Sequence, residues 1–125
     1  MPSVRNKSKR YGWVADTCGP PDHLYTATLV QLETLPPIVD LHGKCARVTY
    51  DQGQLSSCTG NSIACANQYD RAKQKYKPNF NLSRLFIYYN ERDMEGTIDS
   101  DSSAQIRDGI KSVSKLGDCP ETAWP

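Results

Sequence analysis

Apolar and polar positions fall into three stretches of helical spacing, preceded by a stretch that has none. In "TGNSIACANQYDRAKQKY", residues 59–76, Ile63, Cys65, Ala66, Tyr69 and Ala72 recur at three- and four-residue steps while Arg71, Lys73 and Lys75 face away, which predicts a helix. "KPNFN" breaks it, and "SRLFIYYNERDMEG" begins a second helix at Asn81 or Ser83, carrying Leu85, Phe86, Tyr88 and Tyr89 to a stop at Gly96. In "SAQIRDGIKSVSKLG", residues 103–117, an apolar stripe of Ile106, Ile110, Val113 and Leu116 predicts a third, with Gly117 at the terminating position.

Ahead of these the pattern changes. Residues 1–37 read as an extended arm, since Pro20, Pro21, Pro36 and Pro37 forbid a helix through either end. Tyr11, Trp13, Val14, Leu24, Tyr25, Leu29 and Leu32 give it enough apolar surface to lie against something as a strap. Residues 38–57, "IVDLHGKCARVTYDQGQLSS", read as short extended pieces with turn chemistry, ending in Ser56 and Ser57, either of which can cap the first helix.

Composition narrows the partners. A chain of 125 residues supports one hydrophobic core, and a net charge of +1 supplies no global field to recruit nucleic acid, an acidic substrate or a membrane surface. Arg5, Lys7, Lys9 and Arg10 form a basic cluster without interleaved aromatics, which reads as a solvated terminus; no nucleic-acid or membrane partner is expected. No apolar run is long enough for a signal-peptide core or a membrane span, which favours an intracellular location. The five cysteines, an odd number, then read as thiols before they read as bridges.

One thiol stands out. Cys58 lies at the start of the first helix, where unpaired amides and the positive dipole end stabilise a thiolate. Gln52 or Gln54, on a turn made compact by Gly53, can aim an amide NH2 at an oxyanion beside the sulfur. The plain alternative is a small capped hydrophobe.

"DQGQLSSCTGNSIA" resembles the segment of papain-like cysteine peptidases in which a Gln-Gly pair leads, six residues on from the Gln, to the nucleophilic Cys of the central helix; Gln52 and Cys58 match that spacing. The resemblance runs over about residues 38–125. "LPPIVDLHGKC" is similar to the opening of the mature domain, and "SRLFIYYNERDMEGT" to the second helix region of a non-lysosomal, bacterial or viral branch. "SSAQIRDGIKSVSKLGDCPETAWP" is similar to the helix after the substrate-binding glycines, running to a Pro-Glu-x-x-Trp/Tyr-Pro signature. The resemblance implies an α+β papain-like fold of which this chain is mainly the helical left domain, with an N-terminal arm and without most of the β-rich right domain. It implies Cys58 as nucleophile, Gln52 as oxyanion-hole donor with the Cys58 amide beside it, and peptide or protein substrates. Ser102 and Ser103 stand where relatives often carry glycine to admit substrate backbone, so they are the candidate substrate-binding residues.

There are departures. Thr59 follows the nucleophile where relatives often have Trp, and Leu55 replaces a bridging cysteine. The general base and its orienting Asn lie about 130 to 150 residues beyond the Cys in this family, past Pro125, while His23 and His42 lie upstream of Cys58 and inherit no role. The expectation is therefore a cysteine-type peptidase acting through a Cys58 acyl-enzyme, incomplete as the chain stands. His and Asn would come from a separate chain or segment; the alternative is an inactive module that binds peptide or a partner protein. Residues 1–37 would cover the cleft as a prosegment-like strap.

Other chemistry ranks lower, and no metal or cofactor is expected. Cys18, His23, His42 and Cys45 have zinc-ligand types but match no common finger spacing, and His42 and Cys45 fall in the expected opening strand. Cys65, two turns after Cys58, reads as buried filler, and Cys119 as free or bridged. Glu91, Asp93, Glu95, Asp99 and Asp101 lack the offsets of a calcium loop and read as surface.

Overall fold

The three helices form where the periodicity predicts them, and their ends have local causes. In the computed structural model, residues 12–20, 22–23, 26–45, 49–78 and 80–125 are described. In chain order they form β1 (Trp13–Val14), α1 (Leu29–Glu33), a 3-10 turn (His42–Lys44), α2 (Cys58–Lys73), α3 (Arg84–Glu95), β2 (Ala104–Gln105) and α4 (Ile106–Leu116). The Ser83 hydroxyl accepts from the Phe86 amide at 2.9 Å and so satisfies an orphan donor at the head of α3. Gly96, at φ 69°, ends that helix in the left-handed conformation that glycine adopts without a Cβ penalty.

The core lies where α3 meets α2 and α4. Ile63 and Ala64 from α2, Leu82 ahead of α3 and Ile87 within it form the buried cluster, with Phe80 and Val113 against its edge. Gly109 brings α4 in: a Cβ there would stand 2.2 Å from Glu91 Oε1 and 2.3 Å from Ile63 Cδ1, so only glycine lets the three helices close to this distance. The C-terminal tail then folds back over α3. Trp124 meets Phe86 edge-on and Tyr89 at a tilt, each at 5.7 Å between ring centroids, and the Ser83 hydroxyl donates to its carbonyl at 2.6 Å.

Several expectations are corrected. Residues 29–33 of the arm are helical, because Thr28 and Gln31 form a capping box between the flanking prolines. Residues 42–44 form a 3-10 turn and not an opening strand. The third helix starts later than its pattern suggests, since Ala104 and Gln105 are extended to pair in parallel with Trp13 and Val14. Its apolar stripe is only half used: Ile110 and Leu116 are exposed, and Gly109 and Ser112 face the core, because close approach to α3 selects the small residues. Arg71 does not face away; it pairs with Asp118 at 3.0 Å and lies over the rings of Tyr76 and Phe80. Arg5, Lys7, Lys9, Arg10, Tyr11, Leu24 and Tyr25 lie outside the described residues.

Candidate active site

The loop that leads into α2 is built by its own polar side chains. Asp51 accepts from the Gly53 amide at 2.9 Å, Gly53 takes φ 61°, and the Leu55 amide returns to the Gln52 carbonyl at 3.3 Å. The half-buried Gln52 donates its side-chain amide to the Leu55 carbonyl at 2.9 Å, across the same turn, while Gln54 is exposed. Asp101 then fastens the loop to the rest of the molecule. Both of its oxygens accept from the Ser56 amide at 3.1 Å, and the Tyr88 hydroxyl donates to Oδ1 at 2.7 Å.

That anchor is ionised. Burial works to raise the Asp101 carboxyl, but hydrogen bonds from Tyr88 and Ser56, with Arg92 nearby, together hold it below its ordinary value. Burial and the same carboxylate push the Tyr88 phenol up, so Tyr88 remains the donor. The bonds run from α3, through the loop after it, to the residue two before Cys58.

Cys58 is the first residue of α2 and is half-buried. Ser57 occupies the cap position, yet its side chain makes no bond to the helix amides and accepts instead from Asn61 Nδ2 at 3.1 Å. The positive end of the α2 dipole is therefore not answered by its cap side chain. Beneath it, the Thr59 hydroxyl donates to Glu91 Oε2 at 2.6 Å, with both residues buried. Burial pushes the Glu91 carboxyl up to about 7, with Glu95 and Asp108 adding and Thr59 and Arg92 opposing. Glu91 Oε1 has no hydrogen-bond partner. Glu91 thus belongs to the interior and not to the surface, because Gly109 makes room for it.

Ser102 is exposed and Ser103 half-buried, with Ser103 at φ 72°, a backbone region that favours glycine. Ser103 leads directly into β2, and here the arm arrives. The Ala104 amide donates to the Gly12 carbonyl at 3.1 Å, Trp13 lies opposite Ala104, and Val14 opposite Gln105. Gly12 also rests on the loop before the thiol, so closely that a Cβ would stand 1.7 Å from the Ser56 carbonyl oxygen. Trp13, Cys58, Thr59, Ser62 and Ile106 line a cavity of about 270 Å³. Cys58, the 51–57 loop and the 102–105 segment thus meet around one stretch of extended backbone.

Further along, the arm engages α4. The Gln105 cap makes no side-chain bond to that helix, and Asp16 Oδ1 accepts from the Arg107 amide at 3.1 Å. The Arg107 guanidinium meets Asp22 as a fork, Nη1 to Oδ1 and Nη2 to Oδ2, each at 2.9 Å. That pairing, helped by the Gly19 amide at 2.6 Å, holds the Asp22 carboxyl below its ordinary value.

A larger recess, about 660 Å³, lies elsewhere on α2 and is lined by Leu41, His42, Cys45, Tyr50, Cys65 and Tyr69 among others; Cys58 is not part of it. Cys65 is accordingly half-buried on an open recess rather than core filler. All five cysteines are free, and among the described residues no three His, Cys, Asp or Glu side chains gather to hold a metal, so the Cys18, His23, His42 and Cys45 set is not assembled. Among the described residues no helix is long and apolar enough to cross a membrane.

Sequence reasoning read Asp101 and Glu91 as surface acids and did not single out Arg107. Asp101 had a local signal only in hindsight of its partner Ser56, 45 positions away; burial of Glu91 was marked by Gly109, a glycine inside a helical pattern.

A solved structure resembles the chain over its full length, and a curated relative resembles part of it. It is 46% identical, over 100% of its length, to xylellain, a cysteine protease from Xylella fastidiosa whose crystal structure it matches with a TM-score of 0.81. It is 55% identical over 74 residues to an uncharacterized peptidase C1-like protein of Acanthamoeba polyphaga mimivirus, a match that covers 59% of this chain. The chain spans 46% of the first protein and the match covers 24% of the second, less than half of either. No family model matches it.

Proposed function

The chain belongs to the papain-like cysteine peptidase family and carries the helical left domain of that fold, and from this premise we propose that it is the nucleophile-bearing part of a thiol peptidase. The carrying observation is that Cys58, at the head of α2, opens on a cavity beside a stretch of extended backbone already hydrogen-bonded to β2. A peptide laid in that position brings a carbonyl carbon to the sulfur.

The Cys58 thiolate attacks that carbon, forming a C–S bond and a tetrahedral oxyanion. Gln52, turning its amide from the Leu55 carbonyl, and the Cys58 backbone amide donate to the oxyanion. Collapse breaks the C–N bond, and the leaving amine takes a proton from a histidine, a residue type that positions 59–125 do not contain. Water then hydrolyses the thioester with the same histidine as base. Ser102 and Ser103 border the peptide backbone on the β2 side. Residues 1–37 act as a strap over this cleft, supported by the contacts of Gly12 with Ser56 and of Trp13 with the Cys58 cavity. Residues 38–125 form the left half of the peptidase domain.

Labelling with an epoxide inhibitor of cysteine peptidases tests the reading, with Cys65 as an internal reference. Cys58 is expected to label at least about tenfold faster near neutral pH. Equal, slow labelling of both thiols removes the activated nucleophile and leaves the alternative, a module that binds peptide without cutting it.

A further inference from the structure

Beyond Cys58, the arm places its acids at the head of α4. Two carboxylates converge on one residue of α4. Asp16 takes the Arg107 amide in the first turn of a helix whose own cap residue makes no side-chain bond, and Asp22 takes both arms of the Arg107 guanidinium. Nothing else satisfies that fork: no other hydrogen bond of the Arg107 side chain accompanies the Asp22 pair among the described residues. Asp108, the next acidic group in the same turn, is paired with Lys111 at 2.9 Å and leaves the fork to the arm. The arm pairs with β2 at Trp13 and Val14, beside the Cys58 cavity, reaches the head of α4 two residues later with Asp16, and turns at Gly19–Asp22 to bring Asp22 back to the Arg107 guanidinium, so Arg107 adjoins the path of a peptide that extends β1.

We propose that Arg107 and the first turn of α4 form a subsite for an acidic side chain of an extended peptide, which the chain's own arm fills by placing Asp16 on the Arg107 amide and turning Asp22 back onto its guanidinium. The proposal rests on the peptidase-cleft reading for its peptide, and on the Arg107 geometry for its charge preference. Lifting the arm leaves a helix head without its carboxylate and a planar fork without its partner. A carboxylate restores both at once, whereas an amide side chain supplies one acceptor oxygen and no charge.

The test uses the full 125-residue chain with D16N and D22N, which removes both carboxylates from the subsite and leaves Arg107 in place. Paired fluorescent peptides of extended sequence, one with Asp residues and one with Asn at the same positions, are compared by anisotropy. The acidic peptide is expected to bind at least about fivefold tighter, with the advantage shrinking as salt rises from about 50 to about 500 mM. R107Q in the same background is expected to bring the two affinities together. Equal affinity for both peptides before that change, a preference that ignores salt, or one that survives R107Q overturns the proposal. The salt series needs no change at Arg107, so it remains decisive where R107Q disturbs α4. Failure of Cys58 to label while the acid preference stands rejects the peptidase reading alone; rapid labelling without acid preference rejects the subsite alone.

Discussion

The three-helix frame and the N-terminal arm are held by different forces. In the frame, Ala64, Leu82 and Ile87 are completely excluded from solvent, and an anchored loop is tied to them through Tyr88 and Asp101. In the arm, α1 buries no residue, and Leu29, Val30, Leu32 and Leu35 all remain exposed. The arm is attached at a few points: a two-residue strand, Gly12 on Ser56, and two carboxylates on Arg107. Burial gives the frame stability of several kcal/mol per residue lost, while point contacts of the arm, mostly wet, hold it only weakly. A frame that stays folded while the arm lifts is what the proposed covering of Cys58 requires.

The largest effect expected belongs to the frame. Leu82→Ala should cost about 2–5 kcal/mol in urea unfolding, because a fully buried side chain leaves a cavity between α3 and the tail. A loss below about 1 kcal/mol would mean the core is not centred there.

Next comes Glu91. Its carboxyl is raised in the folded chain from 4.5 to about 7, so the folded state holds the proton more tightly than the unfolded state does. This group therefore favours folding most below about 4.5, and that contribution falls as pH climbs toward 7, by on the order of 2–3 kcal/mol. Glu91→Gln should flatten the slope of stability between those pH values, as read by urea midpoints. An unchanged slope would show that the carboxyl ionises freely.

The smallest effect is expected in the arm, where Leu29→Ala and Val30→Ala should each change unfolding by less than about 0.5 kcal/mol, since both side chains are already in water. A loss above about 1 kcal/mol would make α1 part of the core and erase the contrast.

Legibility in the sequence follows the same division. Helical spacing found α2, α3 and α4 because local periodicity and Ser83, Gly96 and Gly117 mark them within a few residues. The place of Cys58 at the head of α2 was legible in the same way, whereas its proposed role rests on the resemblance at the Gln52 spacing. What escaped was long-range. Ala104 and Gln105 are extended because Trp13 and Val14 pair with them from 91 positions away, and no local pattern encodes that partner. Glu91 sits in an exposed-looking run of charges, and only the approach of Gly109 buries it. Arg107 acquires its meaning from Asp16 and Asp22, at the other end of the chain.

The central claim is that a reactive thiol lies under a lightly held strap, and Gly12→Ala tests it most directly. The added methyl falls 1.7 Å from the Ser56 carbonyl oxygen, and because Ser56 is fastened to Asp101 the lightly held arm is expected to lift. Epoxide labelling of Cys58, measured against Cys65 in the same sample, should accelerate at least about fivefold over the unsubstituted chain, with the Cys65 rate unchanged. A Cys58 rate that stays the same, or that rises only in step with Cys65, would contradict the account.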